Sequence, residues 1–331
     1  MKRFLLFCLI IPLWVLSQNA PPSNGKLVDI GGYRLHIDIK GKGSPAVIMI
    51  AGSQAFSFDW SLVMPAISTI TQVCTYDRPA LAWSDPGPMP RTFQQDIYEL
   101  HTLLQKAGVK PPYILVGHSL GGIIARLYEK RYPDEIKGLV LVDATSEDAK
   151  LFMNGKIERL RAFSQNRASP PVKTKLDTST RVPSMRELEE MWKMIGEPKT
   201  EPPFDKLPSK IQQQRIWAMR QPKFLLADNG SYWADEFEAM YEDSLYSLGK
   251  KPVYVLSSGK DAFSKSTDTT MRAIWLEKLE QKEKMANLSA NSKHIITTKS
   301  RHEIHLDEPG LVINAIQEVI NAVRTGKTLK D

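Results

Sequence analysis

The sequence predicts an α/β protein with a mostly parallel central sheet, helices on both faces and a helical insertion. Three observations carry this. Short runs that are apolar on every position recur along the chain, as strands covered on both sides require. Stripes at helical spacing separate them. One long proline-dotted stretch, 146–250, lacks such runs. The 331 residues are 42% hydrophobic and 24% charged, the balance of a soluble globular protein, which excludes disorder, a collagen-like repeat and a small disulfide scaffold. The net charge of +7 is spread without a run of five cations or a zinc-finger spacing, so no nucleic-acid partner is expected. Cys8 and Cys74 are too few for a metal cage or a disulfide framework.

Lys2 and Arg3 precede an apolar stretch, 4–16, followed by the small and polar residues Ser17, Gln18, Asn19 and Ala20. This is the order of a secretory signal peptide over 1–17, with cleavage after Ala20 as the alternative. The stretch falls short of the ~20 residues that span a bilayer and contains Pro12. The expectation is an exported protein, periplasmic or secreted, with no stable membrane span after cleavage; an uncleaved anchor is the other reading. Removing the segment lowers the charge to about +5. It also leaves Cys74 without a partner, as a buried small hydrophobe.

From 33 to 40, Leu35, Ile37 and Ile39 alternate with Arg34, His36 and Asp38, the pattern of a half-buried strand. The runs 46–51, 113–116, 139–142 and 253–256 are apolar on both faces. Phe93, Ile97, Leu100 and Leu104 mark a helix, with Thr92 and Gln95 placed for a capping box. Asp307-Glu308-Pro309 opens a final helix striped by Val312, Ile316 and Ile320. The core is thus expected over 26–145 and 251–325. Helices at 184–195 and 209–220 belong to a cap inserted at 146–250, basic in its early part and acidic over 234–243.

The chemistry points to Gly117-His118-Ser119-Leu120-Gly121, which follows a buried strand and opens a helix. A serine on so sharp a turn has a strained backbone that pushes its hydroxyl into the open, and crowding admits only small residues two before and two after it. Gly117 and Gly121 meet that demand. The helix beginning at Leu120 directs free N–H groups and a favourable dipole at the site. A serine needs a base, and imidazole serves near neutral pH. Of six histidines, His36 lies on a strand, His101 on a helix, His118 beside the nucleophile and His294 before an apolar run. His302 and His305 remain, ahead of the final helix, and His302 is the candidate base. Asp261, past the run 253–256, is the candidate orienting carboxylate, with Asp143 at the end of the preceding run as its rival. Backbone N–H groups of Leu120 and Ser53 are the candidate oxyanion hole.

With these residues in place the chain resembles the α/β-hydrolase superfamily over nearly all of its length, in its cap-bearing, esterase-like branch. Further stretches carry the resemblance: Thr75-Tyr76-Asp77-Arg78, Trp83-Ser84-Asp85-Pro86-Gly87-Pro88, 126–134 and 138–144. The resemblance implies the chain order serine, acid, histidine, with the base on the loop before the last helix. Three positions depart from the pattern. Ala51-Gly52 stands where relatives carry His-Gly, Pro79-Ala80-Leu81-Ala82 where they carry glycines, and Arg301 where a glycine precedes the base.

The expected function is a serine hydrolase cleaving a carboxylic ester through an acyl-enzyme, on a small and apolar substrate, with no metal or organic cofactor. Amide or C–C hydrolysis and acyl transfer on the same triad are alternatives. From another class, the fold serves as a ligand-binding module with a vestigial triad. Trp60, Trp83, Trp192, Trp217 and Trp233 are candidates for an acyl pocket or for ordinary core. The oligomeric state is not legible.

Overall fold

The computed structural model describes residues 20–153, 156–159, 170–176, 180–227, 246–260 and 264–329. The expected leader at 1–17 with Cys8, Trp233 with the acidic stretch 234–243, and Asp261 lie outside the described residues.

Eight strands form the central sheet: β1 (Lys26–Asp29), β2 (Arg34–Lys40), β3 (Ala46–Ile50), β4 (Val73–Tyr76), β5 (Tyr113–His118), β6 (Ile136–Val142), β9 (Val253–Ser258) and β10 (Ser292–Thr297). The hairpin β7 (Lys150–Met153) and β8 (Lys156–Arg159) stands apart from them. The sheet order is β1-β2-β4-β3-β5-β6-β9-β10. β1 and β2 pair antiparallel and β2 joins β4 antiparallel, while every later pairing is parallel. Parallel strands joined by right-handed crossovers put their C-termini along one edge, and this order sets β5, β6 and β9 side by side there.

The wholly apolar strands are apolar because both faces are covered. Helices α2 (Phe93–Ala107) and α3 (Leu120–Arg131) pack one face through Ile97, Leu100, Leu104, Ile123 and Leu127. Helices α1 (Met64–Ser68) and α8 (Pro309–Thr325) pack the other through Met64, Ile67, Val312, Ile316 and Val319. Cys74 is buried and free in the first of these cores.

Two local expectations change. The face of β2 expected to meet solvent is buried: His36 is 2% exposed and pairs with Asp77 at 2.8 Å. The loop after β4 folds over that face, with the Trp83 ring 4.7 Å from the His36 ring and the Ser84 hydroxyl accepting from the His36 N–H. At α2 only half of the capping box forms. The Thr92 hydroxyl accepts from the Gln95 N–H (2.9 Å), but the Gln95 side chain turns inward to Glu99 and the backbone of Lys173.

Between β6 and β9 lie α4 (Met185–Ile195) and α5 (Ser209–Met219), as the sequence expects. Ser184 and Glu187 close a full capping box on α4. The insertion is not purely helical, since it contains the β7–β8 hairpin. Leu207, Ile211, Ala218 and Phe224 of the insertion pack on Phe56, Leu81 and Leu306 of the core loops, so the cap sits over the strand C-termini.

Candidate functional site

β5 ends at His118 and α3 begins at Leu120, so Ser119 alone makes the turn. Its φ of 51° and ψ of −120° lie in a region that side chains avoid, and the surrounding packing holds it there. A Cβ on Gly117 would lie 2.4 Å from the Gly121 carbonyl oxygen, and one on Gly121 would lie 2.3 Å from that of Ile50. The crowding inferred from the pentapeptide is therefore physical. The Ser119 N–H donates to Val142 O (3.2 Å), tying the turn to the end of β6, and its hydroxyl lies 3.4 Å from that of Thr145.

His302, in the loop between β10 and the short helix α7 (Ile304–Asp307), directs Nδ1 to a carboxylate. That carboxylate is Asp143, whose Oδ2 lies 2.6 Å away. Asp143 follows β6 with φ of 40° and is buried. Its N–H donates to Leu256 O (2.7 Å), and its Oδ1 accepts from the Ser258 N–H (3.0 Å). Asp261 lies outside the described residues, so the carboxylate brought to His302 is the rival one.

The other histidines have separate partners. His118 Nε2 donates to the His302 carbonyl (3.1 Å), which fixes the backbone behind the proposed base. His305 is wedged between Trp60 and His118, with ring centroids 4.7 and 4.5 Å away. Burial pulls His118 well below the usual imidazole range and His305 down to about 3, so both are neutral. His294 binds Ser257 and Glu283, and His101 pairs with Glu135.

Ser53 and Gln54 follow β3 and line a cavity together with Ser119, and the Ala55 N–H closes the turn on Gly52 O (3.3 Å). A Cβ on Gly52 would lie 3.1 Å from Cβ of Ser119, so glycine lets this loop approach the nucleophile. Arg78, which sequence reasoning did not single out for the site, braces the loop. Its guanidinium donates to Ala51 O and Gly52 O, each at 2.7 Å, and it is buried. The missing His-Gly histidine is thus matched by a cation from the loop after β4. The signal was present in Asp77-Arg78, where a charged pair follows a buried strand. The expected glycine positions in the next loop are alanines that hold glycine-like backbone, with φ of 68° at Ala80 and 38° at Ala82.

Two cavities meet at Ser119 and His302. One, of about 440 Å³, runs past Asp143, Ala144, Ile274, Trp275 and Lys278. The other, of about 460 Å³, lies under the cap against Trp192, Phe204, Phe224 and Met219, with Ser53 and Arg215 in its wall. Arg215 reaches from α5 to Asp59 of the core (2.5 Å) and lies 3.6 Å over the Phe204 ring. Of the candidate tryptophans, Trp192 lines a cavity, Trp60 packs on His305, and Trp83 packs on Trp217 at 5.6 Å. Among the described residues no helix is long and apolar enough to cross a membrane, and no cluster of three or more His, Cys, Asp or Glu is arranged to hold a metal ion.

Comparison with known proteins agrees with this architecture. The alpha/beta hydrolase fold family matches residues 45–309. The protein YqjL of Bacillus subtilis is 34% identical over 128 residues, 38% of this chain and 51% of its own length. Alignments with the curated relatives cover as little as 16% of their length. A thermophilic esterase from Thermogutta terrifontis superimposes with a TM-score of 0.61 at 18% identity, over 92% of this chain and 100% of that one. The carboxylesterase CesB from Bacillus subtilis gives 0.57 at 16% identity, over 93% of each chain. With the matched region spanning six of the eight strands of the sheet, the serine turn and the histidine loop, the chain belongs to the alpha/beta hydrolase fold family.

Proposed function

We propose that this protein is an exported serine hydrolase that cleaves a carboxylic ester through an acyl-enzyme, with Ser119 as nucleophile, His302 as base and Asp143 as the orienting acid. The observation that carries the reading is the 2.6 Å contact between His302 Nδ1 and the buried Asp143 carboxylate, in a cavity that the strained Ser119 also lines. With the Nδ1 proton held by Asp143, the lone pair on Nε2 is left to take the Ser119 proton. The Ser119 oxygen attacks the ester carbonyl, and the oxyanion is held by the N–H groups of Leu120 and Ser53. Protonated His302 then gives its proton to the departing alcohol, and a water that it deprotonates releases the acid. Asp143 takes the place that sequence reasoning gave to Asp261, because β6 lies directly beside β5 and delivers its first loop residue next to the nucleophile turn.

Apolar walls under the cap support an apolar arm on the substrate, and the names of the two esterases that share the fold support an ester bond as the one cleaved. Export rests on the order of residues in 1–17. The test is turnover of a short-chain p-nitrophenyl ester by purified protein and by Ser119→Ala. The reading expects a loss of about a thousandfold or more with an unchanged circular dichroism spectrum. Equal turnover by the folded variant contradicts it.

A further inference from the structure

Helix α6 (Thr269–Ala286) runs behind the acid and presents two lysines to it. Lys282 Nζ contacts Asp143 Oδ1, and Lys278 Nζ lies 3.7 Å from Oδ2. Lys282 is 2% exposed, and Asp143 is its only carboxylate partner among the described residues. Burial pulls its ammonium down to about 7, and the carboxylate in contact opposes that pull. A buried ammonium with a single partner is a poor device for stability, since an apolar side chain of similar volume fills the same space without the desolvation cost. Its position on the acid therefore asks for a chemical role.

We propose that Lys282 is a positioning residue that tunes the acid–base pair: its cation binds Oδ1 of Asp143, turns Oδ2 to His302, and offsets the carboxylate charge so that His302 stays in its basic form at lower pH. The inference rests on the serine-hydrolase reading given above. Among the described residues, the groups facing the Asp143–His302 pair are Lys278 and Lys282 from α6, His118 from the end of β5, Glu303 and His305 from the segment of α7, and the Arg215–Asp59 ion pair, whose charges offset each other. His118 and His305 are kept neutral by burial, so they supply no charge. The Lys150–Glu277 pair in the same cavity wall is internally balanced. Glu303 favours the imidazolium, and the two lysines oppose it. The sign follows directly. A cation near an imidazole disfavours its protonation, so removing the cation lets the proton bind at higher pH.

The experiment is the pH profile of kcat/KM on one neutral ester for the unmodified protein, Lys282→Met and Lys282→Arg. In Lys282→Met the acid limb moves up by about half to one pH unit, and the alkaline plateau falls as well, because Asp143 loses the contact that turns Oδ2 to His302. In Lys282→Arg, which keeps the charge, the limb stays in place. Should the Met variant fail to fold, Lys282→Gln, which is polar and uncharged, is expected to show the same displacement. An unmoved limb in the uncharged variant, or a loss of equal size at every pH, overturns the role of Lys282. Labelling of Ser119 by a fluorophosphonate reads the parent assignment separately. Labelling with an unmoved limb overturns only the lysine's role, and absence of labelling overturns both.

Discussion

The Nδ1 atom of His302 lies 2.6 Å from Oδ2 of Asp143, although 159 residues separate the two along the chain. The contact exists because β6 is paired to β5 on one side and to β9 on the other. Asp143, the residue that follows β6, is thereby set between the ends of β5 and β9, where the loop after β10 brings His302. Asp143 is held from behind by backbone N–H donation from Ser258 and by its own N–H to Leu256, so the carboxylate is aimed before any substrate arrives.

Asp143→Asn tests which carboxylate serves the base. Asparagine tolerates the left-handed φ of 40°, so the fold is expected to survive, while kcat falls by about a thousandfold or more as the imidazole loses its charged partner. Asp261→Asn is expected to stay within a few-fold of the unmodified protein. Ester kinetics on the two variants check this. A large loss in Asp261→Asn with a small one in Asp143→Asn returns the acid to the position expected from sequence.

Arg78→Met removes both donors that brace the oxyanion loop. The expected result is a fall in kcat of about 10- to 100-fold with a small change in KM, because the hole is used in the transition state and not in ground-state binding. Arg78→Lys recovers little, since one ammonium does not reproduce the forked pair of bonds. Denaturant unfolding should show a loss of about 2 kcal/mol or more in Arg78→Met, from two charge-assisted hydrogen bonds to buried carbonyls.

Stability should fall with acid through the buried histidines. In the folded protein His305 is held to about 3 by burial first, against 6.5 when exposed, and His118 is lowered in the same direction. Between those values the unfolded chain binds protons that the native protein refuses, so stability is full above about 6.5 and is lost as pH falls toward 3. The expected slope is about 1 kcal/mol per pH unit for each histidine. Thermal unfolding from pH 7 to pH 5 measures it, and a folded His305→Phe variant should show a shallower slope. An identical slope in that variant removes His305 as a cause.

Much of this could be read from residue order. The apolar runs 46–51, 113–116, 139–142 and 253–256 mark strands because a sheet covered on both faces has no polar side. The serine turn was legible because Gly117 and Gly121 answer a steric demand that few other folds make. The contact between Asp143 and His302 was not, since Asp143 and Asp261 both follow buried strands, and the pairing of β6 between β5 and β9 that places Asp143 there is not visible in residue order. The burial of His36 was hidden for a similar reason. Alternation reports what a strand offers to its two faces, and the loop carrying Trp83 and Ser84 that covers the polar one comes from 48 residues further on. Lys282 is one of several lysines on α6, and only the packing of that helix against Asp143 sets it apart.

The most direct test is the mass of the intact protein after exposure to a fluorophosphonate near neutral pH, with peptide mapping of the adduct. An activated Ser119 should take up one phosphonyl group per chain, at Ser119, and folded Ser119→Ala and Asp143→Asn should label far more slowly. Folded, unmodified protein that stays unlabelled, or that labels elsewhere at the same rate in all three proteins, contradicts the account.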